Sequence, residues 1–369
     1  MKKPFLHLLL LFVASLLLTS WGSTGHSKIS TDCSLSYNAQ MAQFSAWTSI
    51  LANHSSDADY RKETDPTEAS KHYIDIDSYN EFVATGRIPQ TLDSVIALYG
   101  SNFVYDIGIL PWATVATFDS LKNCFLRNDM EKAVLFASDL GHYVGDGHMP
   151  LHITTNYNGQ ITGNYGIHSR YESTMIGNHI NEINYSGDII SVIPDVNQYI
   201  FDYLYFNYSY VDSVLMADDY AQSVGGSTHS TAYKQALWNA TKHFTVLLFN
   251  NASHALTELI YTAWVEAGCP PLSPHSVINP DHVTTINITT YPNPSSGATF
   301  TQFSLLSGGN ILLQLISPWG HITKTLLSGF QNQGMHTIKW DTGNLPEGIY
   351  YLVLTTPNAK QTNKILLLR

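Results

Sequence analysis

The sequence has few charged side chains, and the shortage falls mainly on the basic residues. Only 13% of the 369 residues are charged, and 18 Lys and Arg face 29 Asp and Glu, which gives a net charge of −11. This balance provides neither a basic footprint for duplex nucleic acid nor a polybasic patch for a membrane surface. It does not exclude an enzyme that handles phosphate through bound metal ions, because the ions would change the local sign of the charge.

Cysteine is also scarce. The chain has three cysteines, Cys33, Cys124 and Cys269, and their spacing matches no cysteine-based metal motif. In an oxidising compartment, three cysteines allow one disulfide and one free thiol. We take Cys33–Cys124 as the candidate pair, and the other pairings stay open.

Apolar residues make up 44% of the chain, enough to bury a substantial core and to exclude global disorder. The length allows one large and one small domain. The N-terminus consists of Met-Lys-Lys, the apolar run FLHLLLLFVASLLL and small residues. This pattern predicts a signal peptide over residues 1–20 and therefore export. A membrane anchor is the weaker alternative, because the run is short and a polar segment follows it at once.

The composition changes once along the rest of the chain. Residues 21–268 carry apolar side chains at three- and four-residue spacing, which predicts a mainly α-helical domain. Residues 269–289 are rich in proline and polar residues and read as a linker. Residues 290–369 alternate apolar and polar positions between turn residues, which predicts a small all-β sandwich.

Three motifs of the β-rich segment are informative: YPNPSSG at 291–297, EGIYYLVL at 347–354 and the terminal KILLLR. Together they resemble the C-terminal sorting domain carried by cargo of the type IX secretion system of Bacteroidetes. The resemblance implies that the secretion machinery is a partner, that the protein is secreted or attached to the cell surface, and that this module takes no part in catalysis. An accessory binding sandwich is the alternative.

Histidine, in contrast, is abundant, with 16 residues against 18 Lys and Arg. His142 and Asp146 are four residues apart on a predicted helix that ends before Pro150, so they lie on one face. His168 and Glu172 repeat this spacing. Two such pairs, with His152 between them, predict a pocket for a divalent metal, and imidazole with carboxylate suits zinc. We leave out His148, which follows Asp146 by two residues and points elsewhere.

Two further stretches add candidate ligands. Asp59 and His72 lie in SDADYRKETDPTEASKHYIDID, where three other acids compete with Asp59 for the same role: Asp57, Asp75 and Asp77. If the signal peptide is cut before Trp21, the mature chain begins WGSTGH. Its free α-amine could lose a proton to a metal near neutral pH, so that Trp21 would bind through its amine and carbonyl, with His26 completing the site.

The pattern HxxxDxxxxxH…HxxxE resembles the zinc-dependent phospholipase C family and the related single-strand-specific zinc nucleases of fungi and plants. The resemblance covers about residues 21–267. HYVGDGHMPLH, GIHSRYE and the Ala58-Asp59-Tyr60 triplet are similar to the phospholipases, and the triplet favours Asp59 over Asp57. The N-terminal WGxxGH is similar to the nucleases. Thr24 stands where the phospholipases have a glutamate that contacts choline, which leaves choline preference open.

The resemblance implies three zinc ions. The first would be held by Asp59, His72, His142 and Asp146, the second by His152, His168 and Glu172, and the third by Trp21 and His26, with Asp146 as a bridge. It also implies that a zinc-bound hydroxide attacks the phosphorus of a diester. Asp59 and Asp146 would then be the catalytic residues, with Asp59 as an additional general base.

The expected function is that of a secreted phosphodiester hydrolase with a trinuclear zinc site, acting as a phospholipase C that releases a phosphorylated head group. The alternative is a nuclease that takes single-stranded nucleic acid. A remote alternative is a non-catalytic surface protein that binds zinc or another ligand, which would have closed metal coordination. Apart from the secretion machinery, no protein partner is predicted.

Overall fold

The computed structural model describes residues 22–272, 288–305, 308–317, 322–343, 345–356 and 360–368. The predicted signal peptide, Trp21 and residues 273–287 of the predicted linker lie outside these ranges. The chain divides into two compact units, Met1–Val277 and Ile278–Arg369. The domain boundaries given above stay predictions.

The first unit is helical, as predicted from the spacing of its apolar residues. Its α-helices in the described residues are α1 (Gly22–Asp32), α2 (Thr48–Asn53), α3 (Asp57–Arg61), α4 (Asn80–Thr85), α5 (Leu92–Tyr99), α6 (Ser101–Asp106), α7 (Leu110–Leu126), α8 (Met130–Gly147), α9 (Ile167–Ser169), α10 (Ile176–His179), α11 (Val196–Tyr208), α12 (Val211–Gly225) and α13 (Thr231–Glu266). No helix among them is both long and apolar enough to cross a membrane.

Helices α7, α8 and α13 form the frame of this unit. The side chain of Asp129 caps α8 by accepting a hydrogen bond from the Lys132 N–H (3.3 Å), which satisfies one of the free donors at a helix start. Helix α13 packs against α1, α7 and α8. A cluster of buried aromatic rings, in edge-to-face and stacked contacts, fills part of the space between these elements: Phe44, Trp47, Phe125 and Trp264.

Short irregular segments surround this frame. They include the 3₁₀ helices Ala69–His72 and Pro150–His152 and the π-helical turn Arg170–Met175. Backbone hydrogen bonds join the first segment to its neighbours, from the Ile74 N–H to the His152 carbonyl (2.9 Å) and from the Ile109 N–H to the Ser70 carbonyl (2.7 Å). Side chains of distant parts of the sequence are thereby fixed against the end of α8.

The second unit consists of antiparallel strands in two sheets, as predicted. Its strands are β1 (Thr289–Tyr291), β2 (Ala298–Leu305), β3 (Gly309–Ile316), β4 (Ile322–Gln331), β5 (Gly334–Asp341), β6 (Gly348–Thr355) and β7 (Lys360–Leu367). One sheet has the order β1-β2-β5 and the other β4-β3-β6-β7. Both sheets contribute to one apolar core, with Phe303 and Trp340 from the first and Leu313 and Leu352 from the second. This arrangement is a small sandwich.

The predicted Cys33–Cys124 disulfide is wrong. All three cysteines are free thiols, with Cys33 and Cys124 buried and Cys269 exposed. The Cys33 thiol donates to the Ser30 carbonyl within its own helical turn (3.1 Å). Cys124 instead contacts the Arg127 guanidinium (3.6 Å) at the end of α7. Each thiol is thus packed into its own local environment, which spacing along the chain could not reveal.

Gly108 should be intolerant of any side chain because it lies against the segment that carries His72. Its φ is +93°, and a Cβ atom would lie 2.1 Å from the Tyr73 carbonyl oxygen. Gly86 has φ +72° but open space around it, so it serves as the matched control. We expect Gly86→Ala to lower the free energy of unfolding by about 1 kcal/mol and Gly108→Ala by clearly more. Urea unfolding would measure both, and equal losses would contradict the close backbone approach.

Candidate metal centre

Helix α8 presents two candidate ligands on one buried face. His142 and Asp146 are fully buried, and Nε2 of His142 lies 3.4 Å from Oδ2 of Asp146. Nδ1 of His142 donates a hydrogen bond to the Ser55 carbonyl (2.7 Å). Nε2 is therefore the nitrogen that remains for a metal ion.

Two residues from outside α8 meet this pair and complete the first cluster. Nδ1 of His72 lies 3.0 Å from both Oδ2 of Asp146 and Nε2 of His142. Oδ1 of Asp59 lies 3.7 Å from Nδ1 of His72 and 3.6 Å from Nε2 of His142. The structure thus brings together the four residues predicted to hold the first ion, and Asp59, His72 and His142 have a geometry suitable for a metal.

The acids that compete with Asp59 lie elsewhere. Asp57 pairs with His54 (2.7 Å) and its side chain is 44% exposed. Asp77 accepts hydrogen bonds from two threonines of the segment after α8. Within the described residues, neither of these acids nor Asp75 belongs to a group with metal-ligand geometry. Geometry therefore favours Asp59, although its role as a ligand stays a prediction.

The second cluster contains the three residues predicted to hold the second ion. Oε2 of Glu172 lies 3.3 Å from Nε2 of His152 and 3.2 Å from Nε2 of His168. Nδ1 of His152 donates to the His72 carbonyl (2.6 Å), and Nδ1 of His168 donates to the Tyr157 carbonyl (3.1 Å). As at His142, a backbone carbonyl determines which nitrogen faces the centre, an arrangement typical of histidine ligands. The bond between His152 and His72 also joins the two clusters.

His26 lies close to the other carboxylate oxygen of Asp146. Its Nε2 lies 3.4 Å from Oδ1 of Asp146, and its ring stacks on His142 with a centroid distance of 4.0 Å. Asp146 therefore faces the first cluster with Oδ2 and His26 with Oδ1, which is the geometry expected of a bridging carboxylate. Trp21 lies outside the described residues, so its part in a third site stays a prediction.

The donor set of the two clusters fits metal ions. Oδ1 of Asp146 and Nε2 of His168 are buried, yet within the described residues they form no hydrogen bond. A buried polar atom without a hydrogen bond is costly. Oδ1 of Asp146 faces His26, and Nε2 of His168 faces Glu172 in the second cluster. Imidazole nitrogen combined with carboxylate oxygen is the ligand set of zinc sites. The residues present therefore suit the implied ions.

The protonation states of His142 and Asp146 also suit metal binding. Burial, together with the neighbouring His26, lowers the pKa of His142 to about 3, so its imidazole is neutral. Burial alone would raise the pKa of Asp146, but His142 and His152 hold it well below its usual range. At His152, burial lowers the pKa, but Asp146 and Glu172 outweigh this effect and raise it to about 8. In the metal-free protein at neutral pH, Asp146 is therefore ionised and His142 is neutral, as ligands must be, whereas His152 carries a proton that a bound metal ion would displace.

A partly buried ion pair lies beside the second cluster, and sequence reasoning missed it. Arg170 lies between the two ligands that α9 and the π-helical turn contribute, and its guanidinium donates to Asp218 of α12 (2.8 and 2.9 Å). It also donates to the Tyr165 carbonyl (2.5 Å). Asp218 additionally accepts from Asn164 (3.0 Å) and Tyr233. The arginine in GIHSRYES was the available signal, but its partner lies 48 residues away.

Other residues near the ligands divide into buried scaffold and exposed surface. His148, left out above, donates to the Val144 carbonyl (2.7 Å) and stacks on Tyr203. The Tyr171 hydroxyl bonds to Thr245 in the core. In contrast, three tyrosines are exposed near the ligands: Tyr60, Tyr157 and Tyr165.

A surface cavity of about 440 Å³ lies beside the first cluster. Ser55, whose carbonyl orients His142, and Tyr60, which follows Asp59, both line it. The remaining lining residues are Ser23, Thr24, Ser27, Ala52, Asn53 and Ser56. Its side chains offer hydroxyl and amide groups without a formal charge.

Comparison with known proteins identifies the C-terminal unit. Residues 289–368 match the family model of the secretion system C-terminal sorting domain. This match confirms the sorting-domain prediction and indicates that the protein is exported. No curated protein matches the chain.

Among solved structures, the alpha toxin from Clostridium absonum is similar, with a TM-score of 0.42 and 11% sequence identity over 95% of this chain and 97% of that chain. A likeness at this level identifies no activity. The proposals below therefore rest on the geometry of the centre and on the motifs of the sequence.

In the metal-free protein, the stabilisation that His152 contributes should fall as the pH rises. Its pKa of about 8 lies above the ordinary 6.5, so the folded protein binds this proton more tightly than the unfolded chain. The contribution is complete below pH 6.5 and is lost as the pH rises through 8. A difference of about 1.5 between these pKa values corresponds to about 2 kcal/mol.

Urea unfolding of the chelator-treated protein and of His152→Gln at pH 6 and pH 9 would measure this effect. The free energy of unfolding should differ more between the two proteins at pH 6. The same difference at both pH values would show that Asp146 and Glu172 do not stabilise a proton on His152.

Proposed function

We propose that the helical unit hydrolyses phosphodiesters at a centre of three zinc ions, as a phospholipase C that releases a phosphorylated head group. The observation that carries this proposal is the position of Asp146, which contacts His72 and His142 with one oxygen and approaches His26 with the other. A carboxylate shared in this way suits a group of neighbouring cations and not one closed structural site. It therefore speaks against a protein that only sequesters zinc.

The chemistry that the ions would supply is well defined. Bound zinc lowers the pKa of a coordinated water to about 7 and neutralises charge on phosphoryl and leaving-group oxygens. The residues that would hold the ions are those of the two clusters, together with His26 and Trp21.

Asp59 is suited to move a proton. Its side chain is 10% exposed, whereas that of Asp146 is fully buried. Burial works against ionisation of Asp59, but His142 and Lys62 lower its pKa, and the Lys62 ammonium lies 2.7 Å from Oδ1. At neutral pH the carboxylate is therefore ionised at the edge of the centre, where it can accept a proton from a water molecule as a general base.

Phospholipid is our first substrate class because the segments similar to the phospholipases, HYVGDGHMPLH and GIHSRYE, are the longest continuous ones. The cavity beside the first cluster offers hydroxyl and amide groups to a head group. A nuclease is the second candidate, favoured by two tyrosines, Tyr60 and Tyr165, which are 64% and 67% exposed and could stack with bases. The type IX machinery is the proposed partner of residues 289–368.

The mature chain starting at Trp21 and loaded with zinc tests the substrate class directly. Phosphatidylcholine, phosphatidylethanolamine, single-stranded DNA and single-stranded RNA are offered side by side. Release of phosphorylated head groups without nucleotides supports the lipid proposal. Nucleotides alone would replace it with the nuclease, and no product from any diester would refute phosphodiester hydrolysis.

Asp146→Asn should abolish most of the activity and lower the zinc content, because one neutral amide cannot replace a carboxylate shared between ions. We expect a loss of turnover of at least about 100-fold. Zinc content by elemental analysis and hydrolysis of the preferred diester are the two measurements. Asp57→Asn is the matched control, since Asp57 pairs with His54 and, within the described residues, belongs to no group with metal-ligand geometry. Full zinc content and unchanged turnover in Asp146→Asn would refute the assignment.

A further inference from the structure

His72 differs from the other histidines of the two clusters in the contact made by its outer nitrogen. His142, His152 and His168 each donate Nδ1–H to a backbone carbonyl and face the centre with Nε2. His72 faces the centre with Nδ1, which lies 3.0 Å from Oδ2 of Asp146. Its Nε2 is buried and forms no hydrogen bond within the described residues, but lies 3.5 Å from Oε1 of Glu68. A carboxylate thus stands where the other ligands have a carbonyl.

Glu68 is itself buried, at 1% exposure, and is held from several sides. Lys71 donates to its Oε2 (2.7 Å), while Arg61 (3.3 Å) and the Tyr143 hydroxyl donate to Oε1. Arg61 also bonds to Asp139 (3.0 Å), so two cations are balanced by two carboxylates. This network fixes the position of the carboxylate beside the imidazole.

We propose that Glu68 is a positioning residue for the metal centre: its carboxylate accepts a hydrogen bond from the Nε2–H of His72 and so directs the Nδ1 lone pair toward the first cluster. The inference rests on the proposed function, because it presumes that His72 binds a metal ion. A carboxylate behind a histidine ligand fixes its tautomer and ring orientation and raises its basicity. Loss of such a partner typically lowers metal affinity 10- to 100-fold.

The competing explanation is purely structural, in which Glu68 only neutralises Arg61 and Lys71. The two explanations differ in what Glu68→Gln changes. The variant keeps the shape of the side chain but removes the charge that stabilises the Nε2–H form of His72. Asp139→Asn is the matched control, because it removes a charge from the same network. Asp139 bonds to Arg61 and, in the part of the chain that the structure describes, not to His72.

The experiment uses the mature chain, its two variants and two readouts. Titration of the chelator-treated proteins with Zn²⁺ against a competing chelator measures affinity. Nitrogen-15 NMR of histidine-labelled protein reports which ring nitrogen of His72 carries the proton. We expect the Nε2–H form in the wild-type protein, a shift away from it in Glu68→Gln with 10- to 100-fold weaker binding of one ion, and neither change in Asp139→Asn.

The Nδ1–H form in the wild-type protein would overturn the proposal, as would an affinity for zinc in Glu68→Gln within twofold of the wild type. Equal losses of zinc affinity in both variants would favour the structural explanation and would also overturn the proposal. If Glu68→Gln does not fold, Glu68→Asp replaces it, because it retains the charge but moves the oxygens away from His72. We expect an intermediate affinity for zinc in this variant. An affinity equal to that of the wild type would refute the positioning role of Glu68. Absence of zinc binding by the wild-type chain would instead refute the proposed function. The NMR measurement of the His72 tautomer would then still test whether Glu68 holds the proton on Nε2.

Discussion

The buried carboxylate of Asp146 is the interaction on which the geometry of the helical unit depends. An ionised group without solvent is tolerated only when charges or hydrogen-bond donors surround it. Here the surroundings come from α1, from the 3₁₀ segment that ends at His72, and from α8 itself. These elements are separated by up to about 120 residues of sequence, so the fold must bring them together at one point. The same convergence that stabilises the carboxylate produces a set of candidate ligand atoms.

The clusters differ in how their ligands are supported. In the first, His142 and Asp146 belong to an 18-residue helix, whose geometry fixes their separation. In the second, the ligands come from a short 3₁₀ turn, the short α9 and a π-helical turn. Such short elements hold their shape poorly alone. The ion pair between Arg170 and Asp218 connects the π-helical turn to α12 and so restrains the segment that carries His168 and Glu172.

Sequence reasoning was most successful where spacing alone determines geometry. The four-residue separation of His142 and Asp146, and of His168 and Glu172, requires only one helical turn, and the structure places both pairs together. The alternation of apolar residues similarly predicted the strands of the C-terminal sandwich, because a strand with one buried face has a period of two. The choice of Asp59 over its competitors was different in kind, since it came from a resemblance to a family.

Residues whose role depends on a distant partner could not be found in this way. The sequence around Arg170 does not indicate its role, because its partner Asp218, 2.8 Å away, is 48 residues distant in the chain. The disulfide between Cys33 and Cys124 was predicted from the oxidising compartment and the number of cysteines. In the structure both are free thiols, buried in separate helical turns. Glu68 did have a local signal, because it precedes His72 by four residues. The four-residue spacing predicted a contact at His142 and at His168, but not at His72. The segment around His72 contains Pro66 and has no amphipathic pattern, so the sequence does not predict a helix there, and the structure has a short 3₁₀ helix.

The orientation of the imidazole rings shows how these levels of structure combine. A histidine can bind a metal through either nitrogen, and the sequence does not say which. Backbone carbonyls accept from the outer nitrogens of His142, His152 and His168, and in our proposal the Glu68 carboxylate does the same for His72. One of these carbonyls belongs to His72, itself a candidate ligand, so a displacement of the segment 69–72 would disturb both clusters. The two clusters are therefore coupled through the protein, independently of any charge that they share.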